Sequence, residues 1–150
     1  MKYGHNYINN ENGQTIVEFA MIVLLILILL FGITEFGRAW FYSNALTNSV
    51  RSGARYAATL PNTTSMASKT RAYTFSQITS SIPKDGTFIT FSAFNRSNAP
   101  VSDYRNMTSA GGAVKVTAYY DFNVLTGSII PFFSGKRTIT RQATMRYEHD

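Results

Sequence analysis

Glu18 is the residue whose surroundings most need a chemical explanation. It is the only charged side chain between residues 16 and 33, a stretch that is otherwise almost entirely apolar, and it comes five residues after Gly13. A carboxylate at the centre of a bilayer costs about 2.5 to 3.5 kcal/mol, although it costs less near the interface. Two interpretations follow: Glu18 reaches the headgroups from the end of a membrane helix, or it serves a function inside the membrane.

Few other residues could do catalytic or metal chemistry. The chain has no Cys, which excludes disulfides, thiolate metal sites and thiol chemistry. Its two histidines, His5 and His149, lie close to the two ends, which disfavours imidazole catalysis. No phosphate-binding loop, dinucleotide fingerprint, nucleophile elbow or metal-ligand cluster occurs. We therefore expect a protein that is not an enzyme, with no catalytic residue, no metal and no cofactor. The acids of the predicted globular part are scattered, and they are Asp85, Asp103, Asp121, Glu148 and Asp150.

The charge composition gives little support to a nucleic-acid-binding protein. The chain has 14 Lys and Arg against 8 Asp and Glu, which gives a net charge of +6. Such an excess attracts polyanions in general. However, only 15% of the residues are charged, and no run of adjacent basic residues is longer than the pair Lys136 and Arg137. A nucleic-acid partner is therefore disfavoured.

An apolar segment near the N-terminus is long enough to cross a membrane. Residues 16–33 number eighteen, and as a helix they span roughly 27 Å, slightly less than the roughly 30 Å hydrocarbon core. A secretory signal peptide is disfavoured because the following residues, 34–38, are not a small-residue cleavage site. A buried core helix is disfavoured because the polar remainder could not surround a helix that is apolar on all sides. We predict a transmembrane segment over residues 14–34.

The helix is predicted to continue beyond the membrane as an amphipathic helix. On a helical wheel, residues 46–57 separate into an apolar and a polar side. Pro61 must end the helix because proline lacks an amide donor and restricts the residue before it. We therefore predict one helix from about residue 16 to about residue 59. Its apolar side is Leu46, Val50, Gly53, Ala54 and Ala57, and its polar side is Asn48, Arg51, Ser52, Arg55 and Thr59.

Small side chains also repeat at every fourth position of this amphipathic half. They are Ala45, Ser49, Gly53 and Ala57. At helical spacing these four residues line one edge of the helix and permit the close approach of another element. The approaching element belongs either to the same chain or to another molecule, and the sequence favours neither.

The remainder of the chain is predicted to form a short helix and a small sheet. Residues 66–78 are predicted to be helical, with Met66, Tyr73 and Ile78 as apolar positions, and Pro83 and Gly86 follow. The apolar period then changes to two, which predicts at least three strands. The strands are expected at residues 87–94, 114–122 and 139–147, joined by loops at residues 95–112 and 123–137.

The fold class expected from these elements is α+β. A small antiparallel sheet with one solvated face needs a cover on its other face, and the amphipathic half of the long helix can supply it. The loop at residues 123–137 contains an apolar stretch at residues 129–133, which is expected to be either core or a contact patch.

The motif around Glu18 resembles the processing site of a known class of protein. The stretch GQTIVE at residues 13–18 resembles the prepilin motif of the type IV filament superfamily, in which a membrane peptidase cuts after the glycine and the acid is fifth in the mature chain. Further along, VEFA at residues 17–20, FGITEFGR at residues 31–38 and SGARYAA at residues 52–58 resemble the TadE-like family of pseudopilins, which is associated with tight-adherence (Flp-type) pili.

This resemblance implies a function and a location. It implies that residues 1–13 are a leader, that cleavage after Gly13 makes Gln14 the new N-terminus, and that Glu18 acts in processing and assembly. It implies a type IV pilin-like protein that crosses the bacterial inner membrane once, with residues 35–150 forming an amphipathic helix plus a periplasmic or extracellular domain.

The expected role is that of a minor pilin or pseudopilin that helps to assemble, prime or cap a pilus. The implied partners are other pilin subunits, a prepilin peptidase, the ATP-driven pilus machinery in the membrane and the lipid bilayer. The alternative is a membrane-tethered extracytoplasmic binding module for a surface ligand or DNA.

Overall fold

The computed structural model describes residues 11–103, 112–125 and 135–147. The predicted α+β architecture is confirmed, because a long N-terminal helix is followed by a short helix and a four-stranded antiparallel sheet. The chain divides into two compact units, Met1–Gly37 and Arg38–Asp150. The first ten residues of the predicted leader and the apolar stretch 129–133 lie outside the described residues.

Helix α1 (Glu11–Thr59) contains 49 residues. It ends two residues before Pro61, as predicted. It begins five residues before the predicted start, because the apolar pattern that indicates the helix begins only at Ile16, whereas the polar residues before it carry no such pattern.

In the first unit, the apolar side chains of α1 point into open surroundings. Ile16 is 67% exposed, Leu25 is 69% exposed and Ile33 is 60% exposed. The helix is long and apolar enough to cross a membrane, and none of its most apolar stretch is buried. A core helix of a water-soluble domain would be covered by its own chain, and this segment is not. Among the described residues it is the single candidate membrane span.

In the second unit, α1 buries the predicted apolar side. Leu46, Val50, Ala54 and Ala57 are completely buried, whereas Arg51 and Arg55 are exposed. Burial that recurs every three to four residues is what an amphipathic helix packed on a core requires. The predicted amphipathic pattern is therefore confirmed for this half of the helix.

Helix α2 (Met66–Ser76) is two residues shorter than predicted. The amide of Gln77 still hydrogen-bonds back to Tyr73 and Thr74, but the chain then turns and Ile78 enters the core from beyond the helix. Tyr73 is only half-buried and stacks on Tyr56 of α1 at a centroid distance of 4.3 Å. The buried face of α2 is Met66, Ala67, Thr70 and Thr74.

The sheet consists of β1 (Thr87–Phe94), β2 (Pro100–Val101), β3 (Ala113–Asn123) and β4 (Lys136–Arg146), in the order β2-β1-β3-β4 with every neighbouring pair antiparallel. Three of these strands lie where the sequence predicts strands. Alternate residues of β3 turn inward and form the centre of the core with the two helices, and they are Val114, Val116, Ala118, Tyr120 and Phe122.

Strand β2 lies in the segment that was predicted to be a loop. A tight turn makes this strand possible: Asn98 adopts a left-handed conformation (φ 59°), and the Asn95 side chain accepts a hydrogen bond from the Ala99 amide at 2.9 Å. Asn tolerates this conformation better than most residues. Pro100 has no amide to donate, and it lies on an edge strand, where proline is tolerated. Two residues of such a strand leave no alternation that the sequence could reveal.

Candidate functional site

The residues of the predicted processing site lie in the first turns of α1. Nothing lies within 4 Å of the position where a Cβ on Gly13 would be, so the described part of the chain gives no packing reason for glycine at this position. A glycine inside a helix is less favourable than alanine by up to about 1 kcal/mol. The reason for this glycine must therefore be sought outside the described fold.

Gln14 and Glu18 are joined across one turn of the helix. The Gln14 amide nitrogen Nε2 donates a hydrogen bond to Glu18 Oε1 at 3.0 Å. The spacing of four residues is the one that places side chains next to each other on a helix. This neutral amide satisfies one lone pair of the carboxylate but leaves its negative charge in place. Glu18 is therefore positioned and exposed, and it can still attract a cation.

The small residue Gly53 allows α1 and α2 to approach closely. A Cβ at Gly53 would overlap the Thr74 hydroxyl group and crowd the Cβ and Cγ2 of the same threonine. Thr74 is completely buried, and its hydroxyl donates to the Thr70 carbonyl oxygen at 2.7 Å. The threonine therefore has little freedom to move away, and only glycine fits at position 53.

The other three small residues lie on the same edge of α1. Ser49 is 2% exposed, and its hydroxyl lies 2.9 Å from the Ala45 carbonyl oxygen and 3.1 Å from that of Gln77, so one proton is shared between two acceptors. Ala57 is completely buried, and Ala45 packs against the core while half-buried. In this structure the stripe packs inside its own chain.

An arginine and aromatic cluster at the start of the second unit was not predicted. The Arg38 guanidinium carbon lies 5.0 Å from the Phe122 ring centroid and 5.8 Å from that of Tyr42. The Tyr42 ring meets the rings of Tyr120 and Phe122 edge-on at 5.4 and 5.8 Å. Burial, with Tyr42 next to it, raises the pKa of Tyr120, while Arg38 acts in the opposite direction. Cation–π and edge-on ring contacts thus join α1 to β3.

Arg141 joins the other edge of the sheet to the same part of α1. Its Nε donates to the Ser43 hydroxyl oxygen at 2.9 Å, its Nη2 donates to the same atom, and its Nη1 donates to the Thr140 carbonyl oxygen. Arg141 occupies an inward-facing position of β4, between Ile139 and Ala143. The sequence signal for this contact is a charged residue at a position of β4 where the alternation predicts an inward-facing side chain.

Tyr147 contacts Leu60, the residue that follows the C-terminal end of α1. Its hydroxyl donates to the Leu60 carbonyl oxygen at 2.9 Å, and the side chain is 2% exposed. The last carbonyls of a helix have no partner within the helix, so a side-chain donor is favourable there. Burial raises the pKa of Tyr147 because the charged phenolate is disfavoured away from water.

The residues that the structure describes include no metal-ligand cluster, and they line an open cavity at the end of α1. Among them, no three His, Cys, Asp or Glu side chains converge to hold a metal ion. An open cavity of about 200 Å³ lies between the end of α1 and the end of β4, smaller than the usual range for small-molecule sites. Its lining residues are Arg55, Ala58, Thr59, Met145 and Arg146.

Residues 13–55 match the model of a protein family described as TadE-like protein. The predicted resemblance is therefore confirmed over this segment, which includes Gly13, Glu18 and Gly53. No curated protein and no solved structure matches the chain. The match connects the chain with Tad pilus systems and their components. Together with the apolar helix α1, it fits a membrane-anchored component of such a system.

Proposed function

We propose that this protein is a minor pilin or pseudopilin that helps to assemble, prime or cap a tight-adherence pilus and has no enzymatic activity. The observation that carries the proposal is the position of Gly13 and Glu18. Both lie inside the family match and at the start of an apolar helix whose side chains are uncovered. Cleavage after Gly13 by a prepilin peptidase explains a glycine that the described fold does not require.

In the proposed pathway, α1 crosses the bacterial inner membrane once and the second unit lies on the periplasmic or extracellular side. Removal of residues 1–13 leaves a free amino group on Gln14, four residues from Glu18. Side chains such as Leu25 and Ile28 are uncovered in the chain by itself, at 69% and 45% exposure. Lipid covers them before assembly, and the helices of neighbouring subunits cover them afterwards.

The charge of Glu18 gives this assembly its specificity. In a seam between apolar helices, opposite charges attract much more strongly than in water. The amino group of Gln14 on an adjacent subunit is the cation that processing creates. Each charge also loses hydration, so an uncompensated Glu18 in the seam is unfavourable by several kcal/mol. Only a processed partner in the correct register therefore stabilises the contact.

The test of processing is the intact mass of the protein from cells that contain the peptidase. Wild type should lack the mass of residues 1–13, and its N-terminus should be Gln14. Gly13→Phe should keep the full mass, since a pocket shaped for a residue without a side chain rejects the ring. Gly32→Phe is the matched control, because Gly32 also has open space around it but lies far from the bond that is cut.

Wild type and Gly13→Phe of equal length would contradict the cleavage. Co-purification of the processed protein with pili tests the second half of the proposal. A processed protein that never accompanies pilus components, yet retains a surface ligand or DNA, would favour the membrane-tethered binding module instead.

A further inference from the structure

Four basic side chains gather around the first residues of the second unit. Arg38 lies over the Phe122 ring, and Arg141 donates to Ser43, one residue after Tyr42. Arg137 is the direct partner of Phe122 in the register between β3 and β4, and Lys136 is adjacent to it. Directly opposed residues of antiparallel strands have Cβ atoms about 4.5 to 5.5 Å apart. The contacts and the register thus bring Arg38 and Arg137 together at the end of the sheet where β4 begins. Lys136 lies at the same end but on the opposite face, and Arg141, at the middle of β4, reaches α1 at Ser43.

Most of these cations are exposed, and together they exceed the acids near them. Lys136, Arg137 and Arg141 are exposed, and Arg38 is half-buried. Asp121 is the nearest acid in the register; it lies on the same face as Lys136 and accepts a hydrogen bond from Thr138. Glu35 is the nearest acid along α1. Counting both acids, the cluster still has a net charge of +2.

Large aromatic side chains accompany the cluster on α1. Trp40 is 62% exposed and Phe41 is 48% exposed. Arg38 follows the end of the predicted membrane segment by only four residues, so the chain keeps this part of the second unit near the membrane surface. Trp residues concentrate at membrane interfaces because their rings are amphipathic. Exposed cations next to such rings are the combination that anionic headgroups attract.

We propose that Arg38, Lys136, Arg137 and Arg141 bind the anionic phospholipid headgroups of the membrane in which α1 is anchored, and so hold the sheet against the membrane surface before assembly. The inference rests on the membrane anchoring in the proposed function. The choice of lipid over an acidic protein follows from chain connectivity: the tether supplies a lipid surface to these residues at all times, whereas any protein must first be recruited.

A single fluorescent label on the full chain can report this contact with the membrane surface. Since the chain contains no Cys, Thr140→Cys in exposed β4 carries one fluorophore. The protein is reconstituted into nanodiscs of phosphatidylcholine, with or without phosphatidylglycerol, that contain a headgroup-attached quencher. We expect stronger quenching on the anionic discs, and we expect high salt to remove the difference because exposed charges are screened.

The decisive variant is Lys136→Gln with Arg137→Gln. Each basic residue near an anionic surface changes the docking equilibrium by about fivefold, so two neutralisations should lower it by about 25-fold. The matched control is Lys69→Gln with Arg71→Gln, which removes the same charge from exposed positions of α2. The control should be quenched like wild type, and thermal unfolding should show that both variants remain folded.

Several outcomes would overturn the proposal. Equal quenching on neutral and anionic discs is one, and equal loss in the two double variants is another. Unchanged lipid contact combined with lost pilus assembly would assign the cluster to an acidic protein partner. Resistance of α1 to alkaline extraction separates the two hypotheses: an extractable chain contradicts the membrane anchor itself, whereas an inserted chain without anionic-lipid dependence contradicts only the headgroup site.

Discussion

The two parts of helix α1 differ in what covers their apolar side chains. In residues 13–37, apolar side chains have no cover from the chain, and Leu25 is 69% exposed. In residues 38–59, the apolar side is packed against α2 and the sheet, and Leu46 is completely buried. The first region depends on lipid or on other helices for its cover, whereas the second carries its cover with it. Substitutions in the two regions should therefore fail in different ways.

The largest effect is expected at Glu18. Glu18→Ala should still be inserted into the membrane but should fail to join the pilus complex, because several kcal/mol are lost at each contact in which the partner charge is left unpaired. Membrane fractionation and co-purification with pili measure the two steps separately. Glu18→Gln adds a test of charge against hydrogen bonding, since it keeps an oxygen that can accept from Gln14.

Glu35→Ala is the control for Glu18. The Glu35 carboxylate is expected to pair with Arg38, three residues further along the helix, and such a contact contributes only a few tenths of a kcal/mol. The variant should assemble nearly as well as wild type. Normal assembly of Glu18→Ala together with failure of Glu35→Ala would show that the assembly function had been assigned to the wrong acid. Glu18 would then be a residue that simply reaches the headgroups.

The next effect compares two glycines of the same helix. Gly53→Leu should lower the free energy of unfolding by about 1 to 3 kcal/mol or more, because the new side chain must enter the space of the buried Thr74. Gly32→Leu should leave the stability of the second unit unchanged, since its surroundings are open. Protease resistance in detergent measures both. Equal behaviour of the two variants would remove the distinction between the regions.

Alkaline pH should weaken the second region through its buried tyrosines. Burial raises the pKa of both Tyr120 and Tyr147 above the usual value of about 10. The unfolded chain therefore loses these protons first, so the stability is fully present below about pH 10 and falls as the pH rises through the raised pKa values. Tyr147→Phe should lose about 1 kcal/mol at neutral pH, with the bond to Leu60, and should show a smaller alkaline decline. Denaturant unfolding at several pH values would measure both, and an unchanged alkaline decline in the variant would contradict the prediction.

The smallest effect compares two buried hydroxyl groups. Thr70 is completely buried, and its hydroxyl has no hydrogen-bond partner in the described structure, so Thr70→Val should be neutral or stabilising by up to about 1 kcal/mol. Ser49→Ala removes a hydroxyl that contacts the Gln77 carbonyl oxygen, and it should be destabilising by about 1 kcal/mol. Thermal unfolding of the two variants gives the sign of each change. A clear loss of stability in Thr70→Val would contradict this account.

Local patterns in the sequence were sufficient for most of the elements. The length of the apolar run, the four-residue spacing from Leu46 to Val50 and Ala54, and the alternation in β3 each depend on residues that are close together in the chain. The stop at Pro61 is also local, because it follows from the geometry of the proline ring itself. The motif from Gly13 to Glu18 is also local, and it was identified by its resemblance to the prepilin motif.

Only the tertiary structure determined what these elements pack against. The small-residue stripe was equally compatible with a partner molecule until α2 was found to lie over Gly53, and the buried face of α2 uses Thr70 and Thr74, which no hydrophobic pattern marks. Arg141 and Ser43 are 98 residues apart, and Tyr147 and Leu60 are 87 apart. Such contacts depend on strand register and on the closure of long loops, and neighbouring residues carry no information about either.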